Sequence, residues 1–251
     1  MKIHINNLRK SFGEKIAVDI AEYEVGDGEI IGLVGNNGAG KTTLFRTMLD
    51  LLKADTGAVE YVFTNEDGTS TDVVNPAVNE VWKDYTGAYI DDGFLIDFLT
   101  PEEYFGFVGK VCGIDKETLE SRLSEFEHLM AGEIMNQNKL IRDYSAGNKH
   151  KIGIIAALLA HPQLVILDEP FNFLDPSSQN VLKHTLTEYN KNYAATVIIS
   201  SHNLAHTIDI SSRITLLEHG HVVKDLANID HAASEELNNY FEQQASFETN
   251  N

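Results

Sequence analysis

The nine residues GNNGAGKTT at positions 35–43 constrain the fold of this chain more than any other part of the sequence. They follow the near-continuous apolar run GEIIGLVG, which is typical of a strand buried on both faces of a parallel sheet. They lead into residues 41–52, whose apolar side chains recur at helical spacing. The order of strand, glycine-rich loop and helix, with the pattern G-x-x-x-x-G-K-[ST], predicts a loop that wraps around phosphate groups.

The residue types in this loop suit the phosphates of a nucleotide. Glycines let successive backbone N–H groups converge on the β- and γ-phosphates, and the N-terminus of the following helix adds its positive end. Lys41 supplies a point charge, and Thr42 offers a hydroxyl to Mg²⁺. The predicted nucleotide-binding residues of the loop are Gly35, Asn36, Asn37, Gly38, Ala39, Gly40, Lys41, Thr42 and Thr43.

The composition of the 251 residues excludes several other classes of protein. Acidic side chains outnumber basic ones by 38 to 19, and the net charge of −19 has the wrong sign for gripping nucleic acid, so no such partner is expected. The longest apolar run, residues 152–159, is too short to span a bilayer, and the first ten residues lack the apolar core of a signal peptide. The single cysteine, Cys112, excludes an internal disulfide and is expected to be a small buried residue.

The rest of the chain alternates between strand and helix patterns. Apolar alternation predicts short N-terminal strands, with a turn over residues 64–72. Helical spacing dominates residues 100–160, and the predicted helices there and beyond are one opening at Thr100 and others over 116–130, 149–160 and 176–190. Later strands are predicted at 164–168, 196–200 and 214–217, and the last 25 or so residues as a short helix and frayed tail. This order indicates an α/β core that carries a helical subdomain.

Acidic side chains and a histidine follow two of the predicted core strands. LVILDEP places Asp168 and Glu169 at a strand end, where ligands bind to open α/β sheets. Asp168 suits Mg²⁺, and Glu169 suits the polarisation of a water that attacks the γ-phosphate. His202, directly after TVIISS, is either a second group that reaches this phosphate or a plain polar strand cap.

These motifs, in this order, resemble those of the ATP-binding subunits of ABC transporters. YSAGNKHK at 144–151 is similar to the signature sequence of that family, FLDP at 173–176 to its D-loop, and SHNL at 201–204 to its switch histidine. The resemblance extends from Ile3 to about Lys224. The chain is too short between the phosphate loop and the signature to hold the long coiled coil of chromosome-associated ABC ATPases.

The resemblance implies a fold and a boundary. The fold is α/β, a P-loop NTPase core with a mostly parallel sheet, an N-terminal antiparallel β subdomain and an inserted α-helical subdomain over about 94–160. The ATP-binding domain would cover residues 1–225, and residues 226–251 would form the C-terminal helix and tail.

The resemblance also implies an ATPase that works in pairs. Phe12 would stack on the adenine, and Ser145 and Gly147 of one subunit would complete the ATP site of a second, identical subunit, head to tail. Asp175 would link the two sites. The helical segment would dock a separately encoded transmembrane permease, which would hold the chain at the cytoplasmic face of the membrane. ATP and Mg²⁺ are the expected cofactors.

Three positions depart from the family pattern. Ala146 and Asn148 replace a glycine and a glutamine in the signature, and both changes leave Ser145 and Gly147 in place. Asp91 falls where a glutamine normally reaches Mg²⁺ and the attacking water. A carboxylate can coordinate Mg²⁺ but cannot donate a hydrogen bond to the water, so hydrolysis is expected to be slower or coupled differently. The alternative is that Asp91 and the adjacent Asp92 form a solvated turn. The resemblance favours an exporter, because family members with an acidic residue at this position are often partners of drug, antibiotic or peptide exporters.

Two further functions stay open. One is a soluble ABC ATPase that remodels ribosomes or nucleic acid, although such proteins usually have two modules and basic surfaces. The other is a nucleotide-sensing subunit with little hydrolysis, which Asp91 alone supports. Among weaker signals, His219 and His221 favour a hairpin turn over a metal site. Trp82 and residues 104–107 favour core and partner-facing surface over nucleic-acid stacking.

Overall fold

Two β-sheets organise the computed structural model, which describes residues 1–64, 70–228 and 232–248. The strands are β1 (Lys2–Phe12), β2 (Lys15–Val25), β3 (Ile30–Val34), β4 (Thr56–Thr64), β5 (Ser70–Val74), β6 (Thr86–Tyr89), β7 (Leu164–Leu167), β8 (Thr196–Ser201), β9 (Arg213–Glu218) and β10 (His221–Ala227). The α-helices are α1 (Lys41–Met48), α2 (Pro101–Val111), α3 (Lys116–Ser124), α4 (Glu127–Met130), α5 (Ala146–Leu158), α6 (Pro176–Tyr193), α7 (Leu204–Ile208) and α8 (Ala232–Glu248). Short 3₁₀ turns cover Val81–Tyr85, Asp92–Phe94 and Ile141–Asp143.

The larger sheet has the strand order β10-β9-β3-β8-β7-β6. Its neighbours pair in parallel from β9 to β6, and β10 joins as an antiparallel hairpin partner of β9. Every residue of β3, β7 and β8 is buried, as expected of strands covered on both faces. The predicted α/β core with a mostly parallel sheet is therefore confirmed.

The smaller sheet is antiparallel, in the order β2-β1-β4-β5. Its inward side chains, among them Ile3, Ile5 and Tyr61, share one apolar cluster with Leu44 and Phe45 of α1. Strands β3 and β7 contribute to the same cluster. Helix α1 thus packs against both sheets, and this packing fixes the two ends of the loop that joins β3 to α1.

The helical subdomain contains α2 to α5. Helix α2 begins as predicted, because the side chain of Thr100 accepts from Glu103 N and the Glu103 carboxylate accepts from Thr100 N, a reciprocal cap. The continuous helix predicted over 116–130 is wrong: α3 ends at Ser124 and α4 begins at Glu127. Phe126, fully buried at the break, takes a non-helical conformation so that its ring enters the core.

Several helix ends differ from the predictions. Helix α1 ends at Met48, because Asp50 adopts a positive φ of 51° and the N–H groups of residues 51 and 52 turn back to Arg46 O. Helix α5 begins earlier than predicted, at Ala146, and α6 extends to Tyr193. Strand β6 was not predicted.

Three other predictions concern Cys112, the turn over residues 64–72 and the C-terminal tail. Cys112 is exposed at the C-terminal end of α2, so the prediction of a buried cysteine is wrong. The centre of the predicted turn, residues 65–69, and the frayed tail, residues 249–251, lie outside the described residues. Helix α8 packs on the core through Ala233 and Leu237. In the described ranges, none of the helices combines the length and the apolar character that crossing a bilayer requires.

Candidate functional site

Close backbone packing shapes the loop between β3 and α1. A Cβ atom added at Gly35 would lie 2.2 Å from the carbonyl oxygen of Leu217, and one added at Gly40 would lie 2.2 Å from that of Ala17. Gly40 also has a φ of 111°, a conformation that side-chain-bearing residues rarely adopt. These two glycines let the loop curl tightly, so that its N–H groups and the free N–H groups of the first turn of α1 can face one ligand.

A cavity of about 270 Å³ opens against this loop. Its lining residues are Phe12, Lys15, Ala17, Asn37, Gly38, Ala39, Gly40, Lys41, Thr42, Thr43 and Glu169. The structure therefore brings together the predicted aromatic residue, most of the predicted phosphate loop and the predicted catalytic carboxylate. Their binding and catalytic roles remain predictions.

Phe12 is the aromatic residue among those that line this cavity. Its ring is 54% exposed, and the ammonium group of Lys10 lies 5.7 Å from the ring centroid. An exposed aromatic face at the edge of a phosphate site can stack on a nucleobase. Lys15 pairs with Phe12 across the β1–β2 hairpin and also lines the cavity. Sequence reasoning did not identify Lys15, although the two-residue turn GE between them predicts the pairing.

Glu169 contacts both Lys41 and His202. Lys41 Nζ donates to the carbonyl oxygen of Gly35 at 2.6 Å and lies 3.4 Å from Glu169 Oε1. The other carboxylate oxygen of Glu169 lies 2.8 Å from His202 Nδ1. His202 thus contacts Glu169, the residue predicted to polarise the attacking water. The predicted pair of Glu169 and His202 is adjacent in space.

Asp168 forms a second polar cluster. Thr42 Oγ1 donates to Asp168 Oδ2 at 2.5 Å, and the hydroxyl of Ser200 donates to the other carboxylate oxygen. Asp168 is buried, and burial raises the pKa of its carboxyl group, against the lowering effect of the Ser200 and Thr42 hydrogen bonds. Sequence reasoning did not identify Ser200, whose role follows from the pairing of β7 with β8.

The chemistry of this cluster fits Mg²⁺. A hydroxyl and a carboxylate oxygen are hard ligands, and Mg²⁺ commonly takes one or two such protein ligands together with substrate phosphates and water. The described ranges contain no cluster of three or more His, Cys, Asp or Glu residues that could hold a metal. Thr42 and Asp168 are the residues that would hold the ion, which when bound neutralises charge on the phosphates.

Asp91, the third predicted metal ligand, has other partners. Its carboxylate accepts from Arg46 Nη2 of α1 at 2.8 Å and from Gly93 N at 2.8 Å. Asp91 is not among the residues that line the cavity. Thr42 and Asp168 contact each other, whereas Asp91 contacts Arg46 and Gly93, and the role of Asp91 as a metal ligand remains a prediction.

The signature and the D-loop contact each other. The side chain of Ser145 caps α5 by accepting from Asn148 N at 3.2 Å, and Ser145 is exposed. A Cβ added at Gly147 would lie 2.6 Å from the carbonyl oxygen of Phe173. Asp175 caps α6, and hydrogen bonds from the Ser178 side chain and backbone hold its pKa below the usual value. Ser145, Gly147 and Asp175 do not line the cavity of their own chain.

The two histidines of LEHGHVV form part of a hairpin. His219 and Gly220 make the turn between β9 and β10, with φ values of 48° and 83°. The predicted hairpin turn agrees with the structure.

The burial of Asp168 leads to a testable prediction. Because the pKa of Asp168 is raised in the folded chain, the ionised carboxylate lowers the free energy of unfolding at neutral pH. This lost stability is regained as the pH falls through the raised pKa and the carboxylate becomes protonated. Asp168→Asn removes the buried charge and is expected to raise the melting temperature without nucleotide by several degrees. The variant is also expected to lose the further rise that Mg²⁺-ATP gives the wild type. Thermal melts check both; a lower melting temperature without nucleotide would contradict the prediction.

Comparison with known proteins agrees with this geometry. The family model described as "ABC transporter" matches residues 18–172. "Bacitracin transport ATP-binding protein BcrA" of Enterococcus faecalis is 32% identical over 89% of this chain and 68% of its own. "Probable sulfate/thiosulfate import ATP-binding protein CysA" of Chlorella vulgaris is 28% identical over 89% of this chain and 90% of its own.

A solved structure has the same fold. It is described as "Dimeric structure of a post-hydrolysis state of the ATP-binding cassette MJ0796 bound to ADP and Pi". Its TM-score to this chain is 0.75 at 21% identity, and the match covers 90% of this chain and 99% of the other. The family match and the relatives go further than the fold: this chain belongs to the ABC transporter family as an ATP-binding subunit, and it is an ATPase.

Proposed function

We propose that this chain powers export through a separate membrane permease, by ATP-driven closure of two copies around two ATP molecules. The observation that carries the proposal is the position of Ser145. It is exposed at the N-terminus of α5, a helix of 13 residues, and does not line its own chain's cavity. The positive end of this helix can therefore meet a γ-phosphate held by a second copy.

ATP would favour closure because the closed pair makes a contact with the γ-phosphate that the open pair lacks. A γ-phosphate held between Lys41 of one copy and Ser145 of the other favours closure, and its loss on hydrolysis removes that contact. Glu169, beside Lys41 and His202, would polarise the attacking water, and Thr42 and Asp168 would hold Mg²⁺. The gain and loss of this γ-phosphate contact would be enough to close and reopen the pair.

The helical subdomain offers an apolar surface to a membrane partner. Phe94, Phe98, Phe107 and Val111 are between 49% and 69% exposed. Exposed apolar residues of this size, close in sequence and on one subdomain, fit a partner interface better than solvent. A permease bound there would hold the chain at the cytoplasmic face of the membrane.

Export is the direction that the sequence favours. The acidic Asp91 replaces the usual glutamine, and the relatives include two bacitracin transport proteins at 32% and 30% identity. The import relatives share 28%.

Purification from membranes tests the proposed partner. The tagged chain, purified from detergent-solubilised membranes, is expected to bring one polytopic membrane protein with it. Phe98→Asp is expected to reduce that recovery at least tenfold, whereas Val78→Asp, at another exposed apolar position outside the helical subdomain, keeps it. Recovery with ribosomes or nucleic acid alone would support the soluble alternative and overturn the transporter proposal.

Disulfide trapping tests head-to-tail closure. In a Cys112→Ala background, Asn37→Cys combined with Ser145→Cys is expected to form an intermolecular disulfide in most molecules when ATP is added under oxidising conditions, and much less with ADP. Disulfide formation requires Cα atoms closer than about 7 Å, so the bond reports direct approach of loop and signature.

The control pairs Asn37→Cys with His184→Cys, an exposed position on α6. An equal yield for both pairs, or a yield independent of nucleotide, would contradict closure of this geometry.

A further inference from the structure

We propose that His150, in the signature helix α5, is a positioning residue that holds the backbone at Glu169 in the conformation needed for hydrolysis. The imidazole is buried, with 6% of its surface exposed. Its Nε2 atom lies 3.1 Å from the carbonyl oxygen of Glu169, and its Nδ1 atom lies 3.1 Å from the hydroxyl oxygen of Tyr89. This inference rests on the catalytic role of Glu169 and deepens the proposed function.

The two contacts assign one tautomer to the ring. A carbonyl oxygen can only accept, so Nε2 carries the proton and donates to Glu169 O. In the neutral ring Nδ1 then accepts, and the Tyr89 hydroxyl donates to it. This assignment satisfies both nitrogens without placing a charge in a buried position. The imidazole therefore joins β6, through Tyr89, to the backbone that follows β7.

The backbone at Glu169 needs such support. Its φ is 48°, in the left-handed region, where the backbone of a residue with a side chain is strained. The N–H of Glu169 donates to Ser200 Oγ at 2.8 Å, and its carbonyl accepts from His150 and from Asn172 N, each at 3.1 Å. Both polar groups of the strained residue are thus fixed, and the direction of the carboxylate toward Lys41 and His202 follows from them.

His150 also contacts segments of its own chain that lie close to the residues proposed to face the second copy. Its ring packs edge-on against Phe173 of the D-loop, with centroids 5.7 Å apart at 70°, and against Tyr89, at 4.8 Å and 89°. Ser145 caps the same helix five residues earlier, and Asp91 follows Tyr89 by two residues. A displacement of α5 caused by a second copy would therefore reach the Glu169 carbonyl directly.

The experiment compares two substitutions in the full-length protein. His150→Leu is expected to lower kcat for ATP by about 30- to 100-fold with KM changed less than twofold, because a small misplacement of a catalytic group is costly while phosphate binding is untouched. His150→Gln is expected to keep at least a third of the activity, since its amide can donate to Glu169 O and accept from Tyr89. His184→Leu, at an exposed histidine of α6, is the control for histidine loss.

A spectroscopic measurement does not depend on activity. ¹⁵N–¹H spectra of the histidine side chains are expected to show His150 as the Nε2–H tautomer. The Tyr89→Phe substitution is expected to shift the Nδ1 signal of His150. Similar losses in kcat for the Leu and Gln variants, a KM effect alone, or an Nδ1–H tautomer would each overturn the proposal.

If His150→Leu does not fold, the proposal is tested by the kcat of His150→Gln and by the tautomer of His150 in the wild type. A wild type without hydrolysis, but with the Nε2–H tautomer, would instead contradict the catalytic role of Glu169.

Discussion

Glu169→Gln is expected to lower the rate of ATP hydrolysis by about 100- to 1,000-fold while ATP still binds. Loss of a positioned general base commonly costs this much, and the amide is isosteric with the carboxylate. Lys41 lies 3.4 Å from Glu169 and keeps its contact with the carbonyl oxygen of Gly35, so the phosphate loop should remain formed. Steady-state phosphate release, together with equilibrium binding of ATP, measures the two effects separately.

The matched control is Glu188→Gln, a carboxylate of α6 that pairs with Lys191. It is expected to leave hydrolysis within twofold of the wild type. If the parent chain already turns over as slowly as Glu169→Gln, the nucleotide-sensing alternative is correct and Glu169 has no hydrolytic role. Loss of ATP binding in Glu169→Gln would show that the carboxylate mainly holds the loop together.

Gly40→Ala is expected to remove detectable nucleotide binding and to lower the free energy of unfolding by about 2–4 kcal/mol. The new Cβ would lie 2.2 Å from the backbone oxygen of Ala17, and that atom belongs to a strand that cannot give way cheaply. Positive φ at this position adds strain. Denaturant titration measures the free energy of unfolding, and titration with a fluorescent ATP analogue measures nucleotide binding.

Gly113→Ala separates the two causes. Gly113 also has a positive φ, 69°, but a Cβ there meets nothing within 4 Å. This control is expected to lose about 1 kcal/mol from backbone strain and to bind nucleotide normally. Equal effects of the two substitutions on binding would contradict the role of close packing beneath the loop.

The phosphate loop was predictable because its sequence and its geometry have the same cause. Gly35 and Gly40 lie where the loop backbone closely approaches other strands, and only glycine fits there. The spacing of the glycines in the sequence therefore indicates where these close approaches occur. The acidic pair after β7 was predictable for a related reason, since parallel strands end at one edge of the sheet. The structure accordingly brings Glu169 to the cavity that Phe12 and the loop line.

Other features depend on contacts that no local pattern contains. Strand β6 has only four residues and forms by pairing in parallel with β7, which is far along the chain. The break between α3 and α4 follows from the burial of Phe126, whereas the local spacing allows one long helix. Ser200 and His150 act through Asp168 and Glu169, and their partners are known only from the fold.

The position of β6 has a consequence for how the chain can change during evolution. β6 lies at the edge of the six-stranded sheet, beside β7, and the helical subdomain is the crossover that connects these two neighbours. A crossover at a sheet edge can lengthen, shorten or change its surface without altering the order of the inner strands. The helical subdomain can therefore diverge while β3 and its loop keep their register.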